Sequence, residues 1–236
     1  MAADLRPRRP RALTPARVSD PRAFVLANTR LQSPPHVPEI RLHLADEAMD
    51  LWRLTEEDLA TLGLPLPFWA FAWAGGQALA RYVLDSPATV AGRRVLVFAA
   101  GAGLEAIAAA RAGAASIVAT EIDPFALAAL ALNAEENGVA FTISDRDVLA
   151  RPFVDLAPRP ETVLLGDVFF EEPMATRVAA FAADATAHGA DVLIGDPGRA
   201  YLPTDRLERL AEYQVPTTRA LEDSEVKRTR VWRFRA

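Results

Sequence analysis

The chain has 236 residues, 51% of them hydrophobic, which is enough to bury a substantial core and suits one α/β domain with an extension. It has no cysteine, which excludes disulfides, thiolate metal sites and cysteine nucleophiles, and His36, His43 and His188 are scattered without ligand spacing, so no metal is expected. The net charge of −5 is uneven: residues 1–30 carry about +5 and the remainder −10, and an acidic body disfavours nucleic acid and favours a cationic partner.

Residues 1–37 read as a basic, flexible leader. Prolines at 7, 10, 15 and 21 prevent a continuous amphipathic helix, and no apolar core of a secretory signal is present. No run of ~18 uncharged apolar residues occurs anywhere, so no membrane span is expected. Residues 38–92 read as an N-terminal extension. Within it Glu39-Ile40-Arg41-Leu42-His43-Leu44 alternates as a short strand does, and Thr55-Glu56-Glu57-Asp58 is a helix start with acids in its first turn. Pro65 and Pro67 break the chain ahead of the aromatic cluster Phe68-Trp69-Ala70-Phe71-Ala72-Trp73. Gly75-Gly76 and a helix over roughly 77–84 come next.

From residue 93 to 236 strands and helices alternate. Strands are predicted at 94–99, 116–121, 139–143, 161–166 and 190–195, and helices at 103–112, 124–137, 174–187 and 204–211. This order predicts a doubly wound, Rossmann-like parallel sheet. Two last strands, 213–221 and 226–234, joined by Glu222-Asp223-Ser224-Glu225, make an antiparallel hairpin and bring the sheet to seven strands.

The most informative stretch is the first strand of this unit together with the turn after it. Val95-Leu96-Val97-Phe98 runs into the small-residue turn Ala99-Ala100-Gly101-Ala102-Gly103, and the next strand stops at Glu121. Small residues at a strand-to-helix turn let the backbone approach a ligand, and Glu121 is placed to accept hydrogen bonds from a ribose. Taken alone, the turn admits a dinucleotide or another nucleoside. A dehydrogenase is disfavoured because the motif starts late and the loops that would carry substrate chemistry offer no His–acid pair. Acids instead stand at successive strand ends, namely Glu121, Asp145 or Asp147, Asp167 and Asp196. That row suits a cationic nucleoside, S-adenosylmethionine, with Glu121 on the ribose diol, Asp147 on the adenine amino group and Val148 packed on the ring. The plainer alternative for Asp145 and Asp147 is that they are turn residues.

Four blocks then resemble one family, in order and spacing: Pro38-Glu39-Ile40-Arg41-Leu42-His43-Leu44, Pro67-Phe68-Trp69-Ala70-Phe71-Ala72-Trp73-Ala74-Gly75-Gly76-Gln77-Ala78-Leu79, Gly166-Asp167-Val168-Phe169-Phe170-Glu171-Glu172 and Gly195-Asp196-Pro197-Gly198-Arg199. They are similar to those of the electron transfer flavoprotein β-subunit lysine methyltransferases, which are class I, seven-strand S-adenosylmethionine-dependent enzymes. The resemblance spans residues 38–235. It implies that Trp73 and Gln77 close over the methionine end of the cofactor, and that Gly101, Ala102 and Gly103 line its back. Glu121 and Ile122 then face the ribose, and Asp147 the adenine. It also implies that Asp167 and Phe170, an acid-x-x-aromatic motif, place the target amine, with Glu171 a further candidate. There are two departures from the family pattern. Val97 stands where an acid that helps hold the methionine moiety is expected, and Ala99 stands where the first glycine is expected.

Methyl transfer to lysine is an in-line displacement, so alignment supplies most of the catalysis. A free lysine has a pKa near ~10.4. Desolvation beside Trp69, Phe169 and Phe170 lowers it, Asp167 orients the ammonium, and the proton leaves through water. Core packing is the plainer reading of Trp69, Phe71 and Phe169, a solvated helix start that of Glu171 and Glu172, and turn structure that of Arg199. The expected substrate is the flavoprotein β subunit. The alternatives are another protein, such as a ribosomal one, or a non-catalytic cofactor-binding module. Lysine occurs once, at Lys227, against 25 arginines, which codon usage explains; a lysine-modifying enzyme that avoids itself is the other reading. Bacterial-looking composition points to the cytoplasm, or to the mitochondrial matrix in a eukaryote, and a monomer is expected.

Overall fold

The computed structural model describes residues 20–45, 59, 64–218 and 222–235. The first nineteen residues of the expected leader and the helix start at Thr55-Glu56-Glu57-Asp58 lie outside the described residues. The second half of the leader is a correction. Helix α1 (Pro21–Asn28) opens on Asp20, whose carboxylate accepts from the Ala23 N–H at 3.1 Å, with Pro21 in the first turn. Phe24 and Val25 are buried, and the Phe24 ring lies 4.7 Å from that of Phe125. Two apolar side chains thus fix a segment whose overall charge suggested disorder. Strand β1 (Arg30–Gln32) then pairs antiparallel with β2 (Leu42–Leu44).

Helix α2 (Ala74–Asp85) starts three residues before the expected position, because Gly75 and Gly76 form its first turn instead of breaking the chain. A methyl group on Gly75 would overlap the carbonyl oxygen of Gly195, so only glycine lets this helix seat on the sheet. The remaining strands are β3 (Arg94–Phe98), β4 (Ser116–Thr120), β5 (Thr142–Ser144), β6 (Thr162–Gly166), β7 (Asp191–Asp196), β8 (Leu207–Pro216) and β9 (Val226–Phe234). The helices between them are α3 (Leu104–Arg111), α4 (Pro124–Glu136) and α5 (Met174–Ala187). The sheet runs β5-β4-β3-β6-β7-β9-β8, parallel through β7 and antiparallel at the hairpin, as the alternation predicts.

Strand β6 sends Leu164 into one apolar cluster, with Val83 and Ile107, and Val163 and Leu165 into the opposite one, with Val178 and Phe181. That is the period of a strand covered on both faces. One expected element does not form. Residues 204–211 read as a helix, but Thr204–Arg206 is a single 3-10 turn and β8 begins at Leu207. Leu, Glu, Arg and Ala carry good helix propensity, yet ladder pairing with β9 wins, with Glu212 and Arg230 opposite each other and bonded at 2.8 Å. No helix among the described residues is long and apolar enough to cross a membrane.

Candidate active site

A cavity of about 640 Å³ opens at the carboxyl ends of β3, β4 and β6, where an open α/β sheet receives its ligands. The small-residue turn lines it with Ala99, Ala100, Gly101 and Ala102. Gly103 does not reach the cavity: it starts α3 at φ 89° and faces Leu130. At Gly101 a side chain would meet nothing nearer than the Trp69 Cα at 3.7 Å, but its φ of 50° favours glycine. Asn133, fully buried on α4, braces the turn from behind: its amide donates to the Ala102 carbonyl at 2.8 Å and accepts from the His43 N–H at 2.7 Å.

Glu121 comes directly after β4 and is held by the turn it faces. Its Oε2 accepts from the Gly101 N–H at 3.1 Å, and its Oε1 from the Ile122 N–H at 2.8 Å. Oε1 also accepts from the Asp123 N–H at 3.3 Å, so the carboxylate is oriented, and Oε2 keeps an acceptor position for a ribose hydroxyl. Ile122 lies beside it, exposed. Asp147 also lines the cavity and Asp145 does not. One Asp147 oxygen caps the next turn through the Leu149 N–H at 2.9 Å, and the other pairs with Arg177 at 2.8 Å.

Trp73 precedes α2 and lines the cavity, its indole N–H donating to the Phe68 carbonyl at 2.8 Å. Gln77 does not join it. Its amide is buried behind the helix start, accepting from the His36 N–H at 3.1 Å and donating to the Ala72 carbonyl at 2.7 Å. Starting the helix at residue 74 rotates position 77 away from the cavity and presents Gly76 instead.

Asp167, just after β6, is buried at the cavity wall. Its Oδ2 accepts from the N–H groups of Gly75 and Gly76, and its Oδ1 takes Nε of Arg199 at 2.7 Å and a terminal nitrogen at 2.6 Å. These contacts fill its acceptor capacity. The same guanidinium forks onto Glu222 at 2.8 and 3.0 Å and lies 5.7 Å from the Trp73 ring centre. Burial pushes the Asp167 carboxyl up to about 7; Arg199 pulls against that, while Glu222 and Asp196 add to it. Burial likewise raises Asp196, whose Oδ1 accepts from the Gly198 and Arg199 N–H groups.

At the mouth Phe170 is 37% exposed and its ring lies 5.3 Å from Phe68; Glu171 is exposed beside it. Trp69 and Phe71 line the cavity, whereas Phe169 is fully buried in the core. Glu105, in the first turn of α3, lies under the cavity with 8% exposure. Burial lifts its carboxyl to about 7, and the charge of Asp167 adds to the shift.

This geometry has relatives. The sequence model of the ribosomal protein L11 methyltransferase family (PrmA) matches residues 78–156. The electron transfer flavoprotein β-subunit lysine methyltransferase of Danio rerio is 37% identical over 221 residues, covering 91% of this chain and 83% of that protein. The Homo sapiens protein of the same name is 34% identical over 227 residues, covering 90% and 81%. The chain belongs to the electron transfer flavoprotein β-subunit lysine methyltransferase family. Among solved structures, SMU.776 complexed with SAH aligns with a TM-score of 0.52 at 11% identity, over 82% of this chain and 53% of that one, which bears on the fold alone.

Within the flavoprotein methyltransferase family frame, both departures of the turn have visible consequences. Val97 is buried and adds no charge to the cavity, and Ala99 takes a φ of 47° that glycine adopts more readily. Two site residues have no signal in the sequence. Glu222 lies in a hairpin loop far from Asp167 in sequence, and Glu105 reads as an ordinary acid in a helix first turn.

Proposed function

We propose that the chain transfers the methyl group of S-adenosylmethionine to lysine side chains of the electron transfer flavoprotein β subunit. Membership of a family whose relatives carry that name supports the substrate, and the oriented Glu121 carboxylate beside the small-residue turn is the observation that carries the cofactor. The residues present fit that cofactor: an anionic cavity of suitable size, a ribose acceptor on β4 and a wall that glycine keeps open.

Bound there, the cofactor supplies an electrophilic sulfonium methyl group. Glu121 would hold the ribose with Ile122 beside it, and Asp147, fixed by Arg177, would stand at the adenine side. The target amine enters between Phe68, Trp73 and Phe170, and Glu171 at the rim attracts it while it is still an ammonium. Apolar surroundings there would favour the neutral amine, the form that can accept the methyl group, and water would take its proton. The aromatic faces tolerate the cationic product. Asp167 acts as a positioning residue, setting Arg199 and the Gly75-Gly76 backbone that form the wall beside the amine. On its bacterial-looking composition we place the enzyme in the cytoplasm, and we take it to act as a monomer.

A ribosomal target draws on the match to the L11 methyltransferase model. That match, residues 78–156, carries the turn, Glu121 and Asp147 but neither the 67–73 segment nor the 166–172 loop, so it bears on the cofactor and not on the target. The test is incubation with labelled cofactor and purified flavoprotein. Label on the β subunit is expected; its absence with active controls overturns the substrate, and label on another protein in a whole-cell extract identifies the replacement.

A further inference from the structure

Resting on the cofactor reading above, we propose that Glu105 is the carboxylate that holds the α-ammonium group at the methionine end of the cofactor, a role that Val97 on β3 cannot fill. Two glycines make room for it. The Glu105 Oε1 sits in a slot between Gly76 of α2 and Gly166 at the end of β6. A Cβ at Gly76 would come within 2.9 Å of that oxygen, and one at Gly166 would collide with it. Two glycine backbones on unrelated elements therefore leave room for one carboxylate, which faces the cavity.

Charge points the same way. A carboxylate buried this deeply needs a cation or a proton. Among the described residues no side chain supplies Glu105 with an ion pair. Three arginines line the cavity: Arg199 is taken by Asp167 and Glu222, Arg177 by Asp147, and Arg146 follows β5, with β4 and β3 between it and the end of β6 where the Glu105 slot lies. The raised carboxyl of Glu105 is the signature of a group without its counter-charge. Asp167 is no substitute, because its acceptor positions are filled from within the fold.

Distance agrees with both. Glu121 stands at the end of β4 and the Glu105 slot at the end of β6, with β3 between them. Two strand spacings are about 10 Å. A nucleoside whose ribose is fixed at Glu121 and whose extended amino-acid arm crosses β3 brings its ammonium to Glu105 and not to the apolar Val97.

Calorimetric titration with two ligands tests this: S-adenosylhomocysteine, which keeps the amino-acid arm, and 5′-methylthioadenosine, which lacks it. Glu105→Gln should weaken S-adenosylhomocysteine binding on the order of 10- to 100-fold and leave 5′-methylthioadenosine within about twofold. Equal losses for both ligands, or no loss for either, overturn the inference. A second measurement needs no variant: on the unaltered protein, deaminated S-adenosylhomocysteine should lose a similar factor, and an unchanged affinity overturns the inference equally. Binding of neither ligand to the unaltered protein overturns the cofactor reading and this inference with it. Tight S-adenosylhomocysteine binding without transfer to the flavoprotein fails only the substrate reading.

Discussion

The Arg199 Nε lies 2.7 Å from the Asp167 Oδ1, and that one contact ties the loop after β7 to the loop after β6. The guanidinium continues to Glu222 in the hairpin loop, so one cation serves two buried carboxylates. Removing one partner of a buried ion pair leaves the others uncompensated and costs about 3–5 kcal/mol. Arg199→Ala is therefore expected to lower the unfolding free energy in urea by about 3 kcal/mol. In the Asp167→Asn/Arg199→Ala double variant the loss should be well below the sum of the single losses, because the removed charges no longer strand each other. Strict additivity would show that the two side chains do not act as a unit.

The buried acids make stability depend on pH in a definite direction. Glu105 and Asp167 have folded values of about 7, raised by burial above the ordinary carboxyl range. The folded state therefore binds more protons than the unfolded one across the interval from about 4 to about 7, and stability falls as pH rises through it. Replacing Glu105 by glutamine removes one of these groups. At pH 5 the variant and the parent should be close in stability. By pH 8 the variant should be favoured by a further ~1–3 kcal/mol. Chemical denaturation of the cofactor-free protein at the two values measures this; a pH-independent difference would mean that Glu105 is not the titrating group.

Legibility in the sequence divides along local and non-local lines. The place of Glu121 at the cavity is legible because a strand, its terminal acid and the preceding turn are contiguous patterns, and the alternation of elements carries the parallel sheet with its antiparallel hairpin. Gln77 is not, because its direction depends on the phase of α2, which the contact between Gly75 and Gly195 sets across the fold. The stretch 207–211 misleads for a similar reason, since pairing with β9 overrides helix propensity. Asn133, Glu105 and Glu222 each sit in an unremarkable local context and gain a role only from residues far away in sequence.

The departure at Ala99 predicts a small gain from restoring glycine. An L-residue in the left-handed region costs roughly 1–2 kcal/mol, and the added backbone entropy of glycine offsets about 0.5–1 kcal/mol of the relief. Ala99 is exposed at φ 47°, so Ala99→Gly removes no packing. A net stabilisation of about 0.5–1 kcal/mol corresponds to roughly 1–4 °C in the melting temperature of a chain this long. A lower melting temperature would mean that the alanine methyl is not strained.

The division of labour across the cavity predicts opposite kinetic signatures at its two ends. Glu121 is fixed by the Gly101 and Ile122 N–H groups and reaches only the cofactor side, whereas Phe170 contacts Phe68 at the mouth, where the protein substrate arrives. Glu121→Ala should weaken S-adenosylhomocysteine binding on the order of 10- to 100-fold, since a charged acceptor to a buried diol is lost. Phe170→Ala should leave that affinity within about twofold and lower kcat/KM for the flavoprotein by about tenfold, because it removes the apolar face that aligns and desolvates the amine. The comparison is internal: both variants go through the same two measurements, and each serves as the control for the other. If Phe170→Ala weakened cofactor binding as much as Glu121→Ala did, the mouth and the nucleoside end would form a single cofactor surface, and the amine would have to approach from elsewhere.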